Sequence, residues 1–89
     1  MAARRAPPER PDPEAKQDRA KARLRDNVAR NLLRIRAELS LSQRQLSERA
    51  GVSQTYISQA EQSKRNLSLD LIAILALALG KTPVDLVSD

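Results

Sequence analysis

Gln54, Thr55, Ser58 and Gln59 stand at positions i, i+1, i+4 and i+5 of one short stretch, a spacing that puts all four on one face of a helix. Each side chain is neutral and carries both a donor and an acceptor. Such groups recognise rather than react. A glutamine amide matches the N6/N7 edge of adenine with two hydrogen bonds, and a hydroxyl suits either kind of base edge. Just beyond them the polar loop Ser63-Lys64-Arg65-Asn66 holds two cations, well suited to phosphate oxygens. Without such a partner, the same residues describe a two-helix corner with a solvated face and an exposed pair of charges.

Bond-making chemistry finds little to work with. The chain has no histidine and no cysteine, which excludes imidazole catalysis, disulfides and thiolate metal sites. The acidic residues are scattered, so no metal is expected. Tyr56 and Ser58 offer hydroxyls without a base, and no glycine-rich phosphate loop is present. The expectation is a non-enzyme without a cofactor. Tyr56 is also the single aromatic residue, which argues against proteins that stack successive bases of a single strand.

Five short helices would position these residues. Asp26 or Asn27 is a candidate cap for a first helix with apolar positions Val28, Leu32, Ile35 and Leu39, followed by Leu41 in a linker. Ser42, with Gln45 three residues on, forms a capping-box pattern for a second helix, Gln43–Ala50, that stops at Gly51. Val52 packs, Ser53 caps, and a third helix runs from Gln54 to about Gln62. Ser68 caps a fourth, Leu69–Leu79, ended by Gly80; Thr82 caps a fifth with Pro83 in its first turn. Two eight-residue helices joined at one glycine must turn sharply, with Leu46, Val52 and Ile57 as their shared seam. No strand pattern and no repeat is present, so the fold class is all-α.

Eighty-nine residues make one domain, with residues 26–89 as the compact part. Residues 1–25 are expected to form a flexible basic, proline-rich arm, partly helical from Ala15. A core built from the remainder is small, and a partner subunit is the natural source of added stability. The net charge of +5 is spread over both parts and favours a polyanion. The longest apolar run, Leu71–Leu79, is nine residues, short of the roughly 20 that span a bilayer. With no apolar stretch at the N-terminus, a cytoplasmic protein is expected.

Residues 28–87 resemble the lambda Cro/repressor type of helix-turn-helix domain, the Xre family. The likeness lies in Leu41-Ser42-Gln43…Leu46, the turn Ala50-Gly51-Val52-Ser53, and Ile57-Ser58…Glu61. It continues through Leu69, Ile72, Leu75, Leu79 and Gly80 to Val84-Asp85-Leu86. The resemblance implies a five-helix domain whose third helix lies in the major groove, with Gln54, Thr55, Ser58 and Gln59 on base edges. It implies phosphate contacts from Gln43, Arg44, Tyr56, Gln62, Lys64, Arg65 and Asn66, and contact between Gln43 and Gln54. It further implies a structural ion pair between Arg36 and Glu61. Ser47 departs from the family, which has alanine there; its hydroxyl needs a partner, for which a helical carbonyl one turn back is a candidate.

The fourth helix also departs from the pattern. With Leu69, Ile72, Leu75, Ala76 and Leu79 turned to the core, Leu71, Ile74 and Leu77 form a second apolar stripe. Either the N-terminal segment covers it through Leu24, or it is the interface of a homodimer on a twofold operator. The expected protein is thus a dimeric, sequence-specific regulator of transcription that binds double-stranded DNA and takes no small-molecule effector. The alternative is a protein-interaction adaptor with the same fold, antitoxin- or coactivator-like, whose third helix would show a nonpolar or acidic face.

Overall fold

The computed structural model describes residues 12–89, which form five helices and no strand: α1 (Pro13–Glu38), α2 (Gln43–Ala50), α3 (Gln54–Glu61), α4 (Leu69–Leu79) and α5 (Pro83–Val87). Residues 1–11 of the expected arm lie outside the described residues. The architecture is the five-helix, all-α helix-turn-helix arrangement.

α1 takes in the segment from Ala15 that was expected to be partly helical, and starts ahead of the cap expected at Asp26 or Asn27. It runs through the expected boundary at residues 25 and 26 without a break. Asp12 caps it instead, accepting from the Glu14 backbone N–H at 3.1 Å, with Pro13 in the first turn. Ala, Lys, Arg and Gln from Ala15 onward are good helix formers. They extend a helix already nucleated by its packed half, so they carry no separate nucleation cost. Asn27 is no cap. It is buried, and its amide donates to the Val87 carbonyl at 3.2 Å and to Asp89 Oδ1 at 2.8 Å.

The later helices are bracketed as their sequences require. Ser42 Oγ accepts from the Gln45 N–H at 3.0 Å while Gln45 Oε1 accepts from the Ser42 N–H at 2.8 Å, so the capping box is closed. Ser53, Ser68 and Thr82 cap α3, α4 and α5. Gly51 and Gly80 end α2 and α4 at φ of 68° and 69°, left-handed geometry that glycine adopts without a Cβ penalty. At the ends of α1 and α3 the same role falls to serines, Ser40 at φ 54° and Ser63 at φ 60°. There the N–H of Leu41 bonds the Arg36 carbonyl and that of Lys64 bonds the Gln59 carbonyl, the closure of a Schellman motif.

The core is wholly aliphatic: Leu32, Ile35, Leu41, Leu46, Ile57, Ala60, Ile72, Leu75, Ala76, Leu79 and Leu86. Three expected members are absent, among them Val52 of the α2–α3 seam, which is half-buried and outside the cluster. Leu39 is exposed at the α1 end and Leu41 packs in its stead; Leu69 is 84% exposed, and Leu67 in the preceding loop packs against the core there. On α4, Leu71 is half-buried at the flank of the packed face, whereas Ile74 and Leu77 point outward, Leu77 at 81% exposure. Leu24 lines a groove with Val28, Leu67 and Ile72. It leaves Leu77 uncovered.

Candidate nucleic-acid interface

Gln43 is the first residue of α2 and Gln54 the first of α3, so both stand at helix N-termini where unpaired N–H groups attract anions. The tight turn at Gly51 brings the two ends together. Gln43, Gln54, Thr55, Ser58 and Gln59 line one open concavity. The apolar side of α3, Ile57 and Ala60, is buried in the core, which fixes the polar side outward.

Ser47 helps to hold that turn. Its hydroxyl donates to the Val52 carbonyl, while its own carbonyl accepts the N–H groups of Gly51 and Val52 at 2.9 and 3.3 Å. The partner therefore lies across the turn and not one helical turn back. This is a physical gain from the hydroxyl: it satisfies a turn carbonyl that an alanine would leave to water.

Arg36 and Glu61 are brought together beneath the site. Arg36 Nε and Nη2 donate to the two carboxylate oxygens at 2.7 and 3.0 Å, and Nη1 donates to the Leu41 carbonyl at 2.8 Å. Glu61 is nearly enclosed, with 3% of its side chain exposed, against 19% for Arg36. Its hydrogen bond raises the Arg36 pKa above the ordinary guanidinium value, outweighing the lowering by burial, so the Arg36 guanidinium stays charged. Glu61 Oε1 also accepts from Gln43 Nε2 at 2.8 Å. The resemblance implied contact between Gln43 and Gln54; here the Gln43 amide is held by Glu61, and no hydrogen bond joins the two glutamines among the described residues.

Around the rim, Gln62 Nε2 donates to Ser58 Oγ at 3.2 Å. The Tyr56 hydroxyl donates to the Asn66 carbonyl at 3.3 Å, and the Arg65 guanidinium lies 4.5 Å over the Tyr56 ring. This stack restrains Arg65 without neutralising it. Arg44 pairs with Glu48 at 3.6 Å on the exposed side of α2. Lys64 and Arg65 are exposed and make no ion pair among the described residues.

Sequence reasoning missed a polar seam along α1. Asn31 Nδ2 donates to the carbonyls of Leu86 and Ser88 at 2.9 and 2.7 Å, and Arg23 meets Asp89 at 2.8 Å. Asn27 and Asn31 together satisfy the carbonyls at the end of α5, which would otherwise be orphaned, while Arg23 holds the Asp89 carboxylate. The available signal was Asn27 and Asn31 one turn apart, each directly before a buried aliphatic residue, Val28 and Leu32. Among the described residues, no His/Cys/Asp/Glu group could hold a metal ion, and no helix is long and apolar enough to cross a membrane.

Residues 32–86 match the family described as Helix-turn-helix. The chain is 38% identical over 65 residues to the uncharacterized HTH-type transcriptional regulator y4dJ of Sinorhizobium fredii, covering 73% of this chain and 84% of that one. It is 39% identical over 56 residues to the control protein C.SmaI of Serratia marcescens, covering 63% and 67%. Among solved structures, the hypothetical transcription factor NHTF from Neisseria aligns with a TM-score of 0.71 and 33% identity over 92% of this chain and 85% of that chain.

Proposed function

The chain belongs to the helix-turn-helix family of transcription regulators, and we propose that it binds a palindromic operator as a homodimer, reading each half-site with α3. Gln54, Thr55, Ser58 and Gln59 meet base edges in the major groove. Gln43, Arg44, Tyr56, Gln62, Lys64, Arg65 and Asn66 meet the sugar-phosphate backbone on either side. The observation that carries this reading is the single concavity formed by Gln43, Gln54, Thr55, Ser58 and Gln59. Two helix N-termini and five uncharged hydrogen-bonding side chains converge on it, and the loop after α3 carries Lys64 and Arg65, which make no ion pair among the described residues. A surface built for another protein would be apolar or acidic there, which disfavours the adaptor reading.

The dimer rests on the outer face of α4. Its stripe is Leu71, Ile74 and Leu77, with Ile74 and Leu77 exposed and Leu71 half-buried at the flank, and Val84 on α5 is exposed as well; a second copy of the chain would cover this face. A twofold axis beside α4 gives the two α3 helices the symmetry of a palindrome. Control then comes from protein concentration, without a small-molecule effector.

Selection of bound duplexes from a random pool tests the reading directly. The expected product is a two-half-site sequence with centres about one DNA turn apart. Recovery of unrelated duplexes, bound no better than the starting pool, overturns it.

A further inference from the structure

The positive charge on the N-terminal half of α1 is sorted by face. Arg23 turns toward the end of the chain, where Nε and Nη2 bond the Asp89 carboxylate at 3.3 and 2.8 Å. Lys21 and Arg25, one helical turn apart, lie on the other side, where they share the walls of an open groove with Asn66 and Leu67 of the α3–α4 loop. Arg25 Nη1 donates to Asn66 Oδ1 at 3.1 Å. Neither cation makes an ion pair among the described residues. An amide partner leaves the charge of Arg25 whole and its other N–H groups open.

These contacts make the basic edge continuous. Arg65 stacks on Tyr56, Tyr56 bonds the Asn66 backbone, and Asn66 bonds Arg25. A polyanion following Lys64 and Arg65 therefore meets Arg25 next and Lys21 after it. Four residues of helix place Lys21 about 6 Å farther out, one or two nucleotides along a strand that rises about 3.4 Å per nucleotide. Asp18, one turn before Lys21, ends the cationic run. We propose that Lys21 and Arg25 bind phosphates just outside the half-site, so that α1 is a rigid flank clamp on double-stranded DNA. This rests on the reading that the α3–α4 loop faces the duplex backbone.

The test measures the salt dependence of binding to a selected operator and to random duplex, each with flanks of zero, two and six base pairs. It compares wild type with the double variant Lys21→Gln/Arg25→Gln, with Arg25→Lys, and with Lys64→Ala/Arg65→Ala. Wild type gains affinity as the flank lengthens; the double variant does not. Its slope of log K against log salt falls by about 1.8, about 0.9 for each phosphate no longer neutralised. Its affinity loss between 50 and 200 mM salt is then roughly tenfold smaller, on operator and random DNA alike. Arg25→Lys keeps the wild-type slope because charge is what counts, and all variants keep the wild-type melting curve.

An unchanged slope and flank dependence in the double variant overturns the clamp. So does a slope reduced in Arg25→Lys, which would assign Arg25 to positioning Asn66. A reduced slope in the loop variant alone, with normal binding by wild type, leaves the site reading standing and the clamp refuted. A wild type that binds no duplex refutes both.

Discussion

In the proposed complex a glutamine at the head of α3 and a lysine in the loop beyond it serve different parts of one interaction, and their removal is expected to have different signatures. Gln54→Ala is expected to cost about 1–3 kcal/mol on the selected site and almost nothing on random DNA, because base contacts carry discrimination. Lys64→Ala or Arg65→Ala weakens both alike and lowers the salt slope by about one. Titrations of operator and random duplex at several salt concentrations separate the two; equal losses on both for Gln54→Ala would remove α3 from the base-reading role. Arg36 belongs to a third class. Arg36→Ala strands Glu61, whose side chain is 3% exposed, and breaking a buried pair in this way costs about 3–5 kcal/mol. A melting curve matching wild type would mean that Glu61 finds water or another cation. The polar face of α3 was legible because it needs only helical spacing. The hold of Glu61 on Gln43 was not, since it depends on how α2 and α3 meet across the turn.

Helix ends set the limits of what spacing revealed. The starts of α2 to α5 follow from a serine or threonine before each, and two of the stops from a glycine. α1 escaped because Asp12-Pro13 caps a run with almost no large apolar residue, where periodicity carries no information. Leu39 and Leu69 misled for a related reason. Each sits at a helix end, where Leu41 and Leu67 in the adjoining linkers reach the core instead. Two ends also store strain. Ser40 and Ser63 adopt left-handed backbone, which costs an L-residue about 1–2 kcal/mol. Against the entropy glycine loses on folding, Ser40→Gly and Ser63→Gly should each stabilise by about 0.5–1 kcal/mol; denaturant midpoints unchanged or lowered would contradict this. At α5, hydrogen bonds from the Thr82 backbone and hydroxyl lower the Asp85 pKa, and those from Asn27 and Arg23 lower that of Asp89. A carboxylate depressed in the folded state contributes stability above its unfolded pKa, about 3.9, and loses it as pH falls through the lower folded value. Protection factors of the α5 amides, taken relative to the intrinsic exchange rate at each pH, should therefore fall as the pH is taken below about 4, before those of α2 and α3; uniform protection across the helices would count against that order.

At the scale of the whole molecule, a core without one aromatic side chain supports a domain whose fourth helix is apolar on both sides. The buried side, Ile72, Leu75, Ala76 and Leu79, holds the monomer together. The outer side contributes little to it, since Leu77 at 81% exposure has almost nothing to lose on unfolding. A charge placed there should thus separate association from folding. Leu77→Lys is expected to melt like wild type at concentrations where wild type is monomeric. It should sediment as a monomer where wild type is dimeric, since each dimer would bury two facing charges. Binding to an isolated half-site should stay within about twofold of wild type, because α2, α3 and their loop are untouched. Binding to the two-half-site operator should lose its cooperativity, since each subunit then gains nothing from its neighbour's position. Leu77→Met, which keeps the surface apolar and costs little in packing, should retain the dimer. Sedimentation and operator titrations on the three proteins decide the matter together. A wild type that stays monomeric at high micromolar concentration, with and without DNA, would leave the exposed leucines without a second copy to cover them and would tie operator symmetry to some other contact.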